Sequence, residues 1–259
     1  MADDAPLLIE RRGPALWLTI NREARRNAMN PAVLDGIHHA VTLAARDGTR
    51  AIVLTGAGDK AFCAGADLSV GTDTFTRSLD EPTTDFGRLA RAVRESGVPM
   101  IARVNGACVA GGMGLLGLCD LAVAVDHARF GLPEIKVGVF AFQVLVYLRN
   151  TLSARHINEL CLTADLVDAA RAREMALVNF VVPAAALDAE VDRVVARIAA
   201  GSPMAIRRGK LAIAAMQSMA FPEAIAFAEA QIGLASRSAD AEEGLAAFNE
   251  KRPPRWSGE

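Results

Sequence analysis

The chain has 259 residues, 52% of them hydrophobic, and a formal net charge of −2 from 28 basic and 30 acidic side chains. That length and apolar content suit one sizeable core, and the near-neutral balance gives no reason to expect nucleic acid or an anionic membrane as partner. No apolar run reaches the roughly 18 uninterrupted residues of a membrane span, and the opening MADDAPLLIERRG lacks the apolar stretch of a secretory signal, so a cytoplasmic location is expected.

In chain order, Ala15–Ile20 (ALWLTI) reads as a strand, 31–45 as a helix with apolar residues at three- and four-residue spacing, and 51–55 (AIVLT) as a second strand. Residues 71–82 are polar and poor in pattern, which predicts a mobile loop. A helix over 86–95 ends before Gly97 and Pro99, and strands follow at Met100–Val104, Leu121–Val125 and 178–182. Strands alternating with helices predict an α/β fold whose parallel strands are covered by helices. From about residue 202 the texture turns helical. Stretches 203–219 and 222–236 each begin with proline, and Asp240-x-x-Glu243 predicts the cap of a third helix running to about residue 250, before Pro253 and Pro254. Two regions are therefore expected, 1–195 and 196–259.

The four cysteines, Cys63, Cys108, Cys119 and Cys161, lie in apolar surroundings without a C-x-x-C pair, and are expected to be free core thiols. His38 and His39 are adjacent on the first helix and are expected at or near the surface. No His/Cys/Asp group has metal-ligand spacing, so no metal is expected.

Residues 104–123, VNGACVAGGMGLLGLCDLAV, contain five glycines, and Gly112 to Gly117 spell G-x-G-x-x-G. A dinucleotide fingerprint would follow the first strand and carry an acid about 20 residues on. Here two strands precede it, and Asp120 and Asp126 come too soon. A second small-residue turn, in AFCAGADL at 61–68, also follows a strand. Each turn can present a bare backbone N–H, and two such groups can converge on one oxygen as an oxyanion hole. Tight helix–strand packing would explain the same residues from spacing alone.

Five segments, INREARRNAMN, AIVLTGAGDKAFCAGADL, VNGACVAGGMGLLGLCD, FGLPEIKVG and AFNEKRPP, occur in the order that resembles the crotonase superfamily, the enoyl-CoA hydratase/isomerase family. The resemblance covers about residues 8–254. It implies a repeated ββα spiral core followed by a C-terminal helical trimerisation region, in a homotrimer or dimer of trimers. It implies an acyl-CoA thioester bound as an enolate, with coenzyme A as part of the substrate and no separate cofactor. The implied oxyanion donors are the N–H groups of Ala66 and Gly111. Backbone atoms of Ala64, Gly65, Asp67 and Leu68 would line the adenine pocket, with Arg26 near the CoA phosphates. Lys251 would reach the phosphates of a neighbouring subunit's ligand, with Phe248 packed near it.

Hydratases of that family resemble one another in using two glutamates, one three residues after the oxyanion glycine and one in a Pro-Glu pair. The second is here as Glu134, among Leu132, Pro133 and Ile135, where a raised pKa is expected unless Lys136 pairs with it. The first position holds Gly114. A glutamate placed there would have to fit beside Met113 and Phe140. Phe140 and Phe142, in VGVFAFQVLVY, add bulk either to an acyl pocket or to the core. One carboxylate suffices to move a proton from C2 to C4 of a 3-enoyl thioester, so isomerisation is the expected reaction. The alternatives are a hydratase with one glutamate and an ordered water, a base drawn from residues 73–85, an inactive acyl-CoA binding protein, or a hydrolase or dehalogenase. A serine hydrolase would need its nucleophile at the turn where Met113 stands.

Overall fold

The computed structural model describes residues 5–69 and 83–259; the loop expected at 71–82 lies outside the described residues. The chain opens with an antiparallel pair, β1 (Leu7–Arg12) and β2 (Ala15–Ile20), followed by α1 (Pro31–Ala44). Three ββα turns come next. They are β3 (Ala51–Gly56), β4 (Ala61–Cys63) and α2 (Asp85–Glu95), then β5 (Met100–Val104), β6 (Ala107–Val109) and α3 (Gly111–Leu118), then β7 (Leu121–Val125), β8 (Arg129–Gly131), a 3-10 turn (Pro133–Val137) and α4 (Phe142–Leu148). The remainder is α5 (Ala154–Thr163), β9 (Val167–Asp168), α6 (Ala169–Glu174), β10 (Phe180–Val182), α7 (Leu187–Ala200), α8 (Pro203–Met216), α9 (Phe221–Ala235) and α10 (Ala239–Glu250).

Each turn of the spiral gives its first strand to one sheet and its second to another. The larger sheet has the order β1-β2-β3-β5-β7-β10, and the smaller β4-β6-β8-β9. Among the described residues only the β1–β2 and β8–β9 pairs are antiparallel. All six residues of β3 are buried, as expected for a strand covered on both faces. Helix α1 starts where Asn30 accepts from the Val33 N–H and Pro31 takes the first position, and it buries Val33, Ile37, Ala40, Val41 and Ala44 on one face.

Several expectations change. The strand expected at 178–182 begins at Phe180; Asn179 meets β7 with both its backbone and its side chain, its N–H donating to the Ala122 carbonyl at 3.0 Å and its Oδ1 accepting from the Ala122 N–H at 2.8 Å. The last helix is capped by Ser238, whose side chain accepts from the Ala241 N–H. Asp240 is instead buried and accepts from the Ser202 hydroxyl and the Ser257 and Gly258 N–H groups, pinning the C-terminal residues to the start of α8. Helix α7 includes residues 195 and 196, puts Val191, Val194 and Val195 in the core, and ends at Ala200, with Gly201 and Ser202 leading into α8. Strand β1 gives no sequence signal because only Leu7 of its six residues is buried. All four cysteines are free, and three are buried.

The corners between the two sheets bury backbone polar groups that neither ladder can pair, and two asparagines supply the partners. Asn105 Nδ2 donates to the carbonyls of Gly56 (2.9 Å), Gly58 (2.8 Å) and Ala61 (3.2 Å), while its Oδ1 accepts from the Gly56 N–H. Asn27 Nδ2 donates to Ala57 and Ala61 carbonyls, and its Oδ1 accepts from the Arg22 N–H. Asn105→Ala strands several buried groups at once and is expected to cost about 2–4 kcal/mol in urea unfolding. Asn105→Asp, which faces three carbonyl oxygens with a carboxylate, should cost more at pH 7 than at pH 4.

Candidate active site

Strands β4, β6 and β8 lie side by side and parallel, with Cys63 beside Cys108, Cys108 beside Phe130 and Val109 beside Gly131. The chain therefore leaves all three strands at the same edge. That edge gathers Ala64–Gly65–Ala66, Ala110–Gly111 and Leu132–Pro133–Glu134. Three residues per strand give periodicity nothing to act on, which is why these strands leave no pattern in the sequence.

The first two turns touch. A Cβ on Gly65 would lie 2.9 Å from the Ala110 Cβ and 3.1 Å from the Gly111 nitrogen, and one on Gly111 would lie 3.4 Å from the Ala66 nitrogen. Gly65 also has φ +99°, a conformation that favours glycine. Met29 bridges the first turn. Its N–H donates to the Gly65 carbonyl at 2.7 Å, and its carbonyl accepts from the Asp67 N–H at 2.8 Å, so the intervening Ala66 N–H is directed away from it. Gly111 opens α3, where no intrahelical acceptor exists for its N–H and the helix dipole is positive. Among the described residues neither N–H has another acceptor. Two bare donors on abutting turns can stabilise one developing oxyanion.

The third turn carries Glu134. Its Oε2 is buried and has no hydrogen-bond partner among the described residues, and burial raises the pKa of its carboxyl. Lys136 does not pair with it: its Nζ donates to the Ala164 carbonyl at 2.9 Å. Cys161 on α5 lies close enough for the Glu134 charge to add to the effect of burial on that thiol, which is pushed up to about 11. A buried carboxylate that no cation stabilises is a proton acceptor of raised basicity.

The remaining expected residues divide into two groups. Arg26 is exposed and left-handed (φ 50°), and its carbonyl accepts from the Ala64 N–H, so it adjoins the first turn. Asp67 is gripped by Arg22, which lies in the INREARRNAMN segment but is not among the site residues that the resemblance implies. The Arg22 guanidinium donates to Asp67 Oδ2 and to the Ala28 carbonyl, both at 2.6 Å, and holds the Asp67 carboxyl down at about 2. The pair joins positions 45 residues apart, beyond the reach of any local pattern. Leu68 is half exposed. Phe248 lies on α10 and is 81% exposed, and Lys251 forms the left-handed cap of that helix.

Gly114 lies one turn into α3. A Cβ there would be 2.7 Å from Phe86 Cζ and 3.3 Å from Val144 Cγ2, the atoms nearest to it. Phe142 is exposed, and Phe140 packs partly against the core. The G-x-G-x-x-G stretch falls inside α3, and Gly112 lets that helix sit directly on the Cys63 carbonyl. The hollow lined by Leu116, Gly117, Asp120 and Asn179 is at the far end of α3, where Asp120 pairs with Lys210. Among the described residues no group of three or more His, Cys, Asp or Glu could hold a metal ion, and no helix is long and apolar enough to cross a membrane.

Comparison with known proteins gives this arrangement its context. A family model described as enoyl-CoA hydratase/isomerase matches residues 12–259. The chain is 32% identical to a crotonyl-CoA hydratase of Syntrophomonas wolfei over 253 residues, 95% of each protein. Among solved structures it is similar to an enoyl-CoA hydratase of Mycobacterium smegmatis, at 33% identity and TM-score 0.88, covering 97% of this chain and 98% of that one. An enoyl-CoA hydratase of Mycobacterium tuberculosis superimposes with TM-score 0.89 at 33% identity, covering 99% and 100%. The three ββα turns are the crotonase architecture, and the chain belongs to the enoyl-CoA hydratase/isomerase family of enzymes.

Proposed function

We propose that the protein isomerises the double bond of a 3-enoyl-CoA thioester. Glu134 takes a proton from C2 and returns it at C4, while the N–H groups of Ala66 and Gly111 hold the thioester oxygen of the intervening dienolate. The observation that carries this reading is the Glu134 carboxylate at the shared strand edge, with a buried oxygen that no described residue partners, together with glycine at position 114. A donor aimed at a developing oxyanion is worth about 3–4 kcal/mol, so two of them account for a large share of the barrier reduction. Coenzyme A enters as part of the substrate, with Arg26, Ala64, Gly65, Asp67 and Leu68 around its nucleotide. A second reading, hydration with one glutamate and an ordered water, is favoured by the names of the hydratases this chain resembles.

Assembly belongs to the same reading. Phe221 is 79% exposed, Ile232 68%, Leu245 66% and Phe248 81%. So much bare apolar surface on the last two helices suits burial between copies of the chain. A homotrimer or dimer of trimers would bring Lys251 and Phe248 to a neighbour's ligand.

Assayed with matched 2-enoyl-CoA and 3-enoyl-CoA esters, isomerisation should exceed hydration by about 10²–10⁴-fold, the usual worth of the missing proton-transfer group. Glu134→Gln should abolish both activities. Fast hydration that survives Glu134→Gln would sink the assignment.

The pH dependence has a fixed sign. Glu134 must be ionised to act as a base, so the acid limb of kcat/KM should lie above the ordinary glutamate value of about 4.3. Its folded pKa is raised, so the native state holds the proton longer than the unfolded chain does. Stability therefore falls as pH rises from the unfolded value through the folded one. Glu134→Gln should melt higher than the parent protein at neutral pH, with the difference closing near pH 4.

Sedimentation should find no stable monomer at micromolar concentration. Lys251→Ala should weaken CoA binding about tenfold in calorimetry, the scale of one charge-assisted contact; unchanged affinity removes Lys251 from the site.

A further inference from the structure

Position 114 is three residues beyond Gly111 on α3, and residues so spaced share a helix face. The volume outside Gly114 therefore adjoins the oxyanion turn. Two side chains from other elements fill it. The Phe86 ring reaches within 2.7 Å of where a Cβ would stand, and Val144 within 3.3 Å. Phe86 lies in the first turn of α2, Val144 on α4, and the two helices close on α3 from different directions.

The ring is held in place. It is 8% exposed and makes an edge contact with Tyr147, at 6.1 Å between centroids and 66° between planes. Thr84, which caps α2 by accepting from the Gly87 N–H, also accepts from Gln143 Nε2 of α4 at 2.7 Å. That bond ties the start of α2 to α4 just beside Phe86. A water poised for attack needs two to four polar partners. The side chains of Phe86 and Val144 offer none, and Gly114 has no side chain.

We propose that Phe86, backed by Val144 and Tyr147, is a specificity-determining residue: its ring occupies the place where an attacking water would be activated and so bars addition of water at C3 of a conjugated 2-enoyl thioester, leaving proton transfer between C2 and C4 as the reaction. The inference rests on the isomerase reading and deepens it. Glycine at 114 removes a base; the ring removes the room for the nucleophile as well. Replacing Gly114 alone therefore cannot restore hydration, because the new Cβ meets the ring.

The test is the ratio of hydration to isomerisation in four proteins: the parent, Gly114→Glu, Phe86→Ala and the double variant. Cooperative melting and retained CoA binding serve as controls for folding. Gly114→Glu alone should lower both activities without raising the ratio. Phe86→Ala should raise the ratio about tenfold, and Phe86→Ala with Gly114→Glu about 10²-fold or more, as a base gains both place and water. Should the alanine variants fail to fold, Phe86→Leu decides the matter, with a several-fold rise expected. An unchanged ratio in any folded Phe86 variant overturns the proposal. The parent ratio tests the isomerase reading separately. A parent inactive in both reactions, with hydration gained by the double variant, would defeat that reading and leave the role of Phe86 standing; an isomerase parent whose ratio ignores Phe86 would do the reverse.

Discussion

The parallel register of β4, β6 and β8 is what the site depends on. Cys63, Cys108 and Phe130 stand abreast, and the chain leaves all three strands at one edge, a few residues short of each functional position. A one-residue slip would turn every side chain to the opposite face and part the two N–H groups. The turn after β6 is the most constrained of the three. Ala110 has φ 50° and ψ −129°, a region that alanine rarely enters. It is held there by its N–H bond to the Gly131 carbonyl at 3.0 Å, and its methyl has room only because residue 65 has none. The two turns thus fix one another, with Ala110 held in its strained conformation directly before Gly111.

The scaffold behind that edge is saturated with hydrogen bonds. Asn27 and Asn105, both nearly inaccessible, take up the backbone groups of the corners between sheets. Arg22 closes the first turn from the side by spanning the Ala28 carbonyl and the Asp67 carboxylate. Against this background the Glu134 oxygen without a described partner stands out. At the corners the fold satisfies its buried polar atoms. At the end of β8 it leaves a carboxylate in apolar surroundings, where its charge is costly and its proton affinity is high.

How much of this is legible in the sequence depends on the length scale of each feature. The strands β3, β5 and β7 are five- and six-residue apolar runs, long enough to declare themselves. The site strands are half as long and can be inferred only through the motifs that succeed them. CAGAD and AGGMG read as bare turns because glycine and alanine limit what can stand there, and that reading needs no neighbours. Arg22 and Asn105 sit inside the matched segments, but their roles, like that of Phe86, cannot be read there, because each acts on residues dozens of positions away along the chain. Asp240 reads as a cap because Glu243 stands three residues on. Ser238, two residues earlier, takes that role and frees Asp240 to bind the C-terminal residues. Local patterns name the turn; only packing says which side chain fills the space beside it.

Family membership and reaction separate at this point. The scaffold, the abutting turns and the Pro-Glu carboxylate suit any chemistry that passes through a thioester enolate, whether water forms it by adding at C3 of a 2-enoyl thioester or a base forms it by taking the C2 proton of a 3-enoyl thioester. The choice is made by what lies within reach of C3 and C4. A second carboxylate with room for water leads to addition; an apolar wall with one mobile proton leads to return of that proton at a different carbon. In the isomerase reading a glycine and a ring from a separate helix decide together, and neither is sufficient alone. Glycine without the ring would leave space for water to enter, and the ring without glycine could not approach α3 so closely.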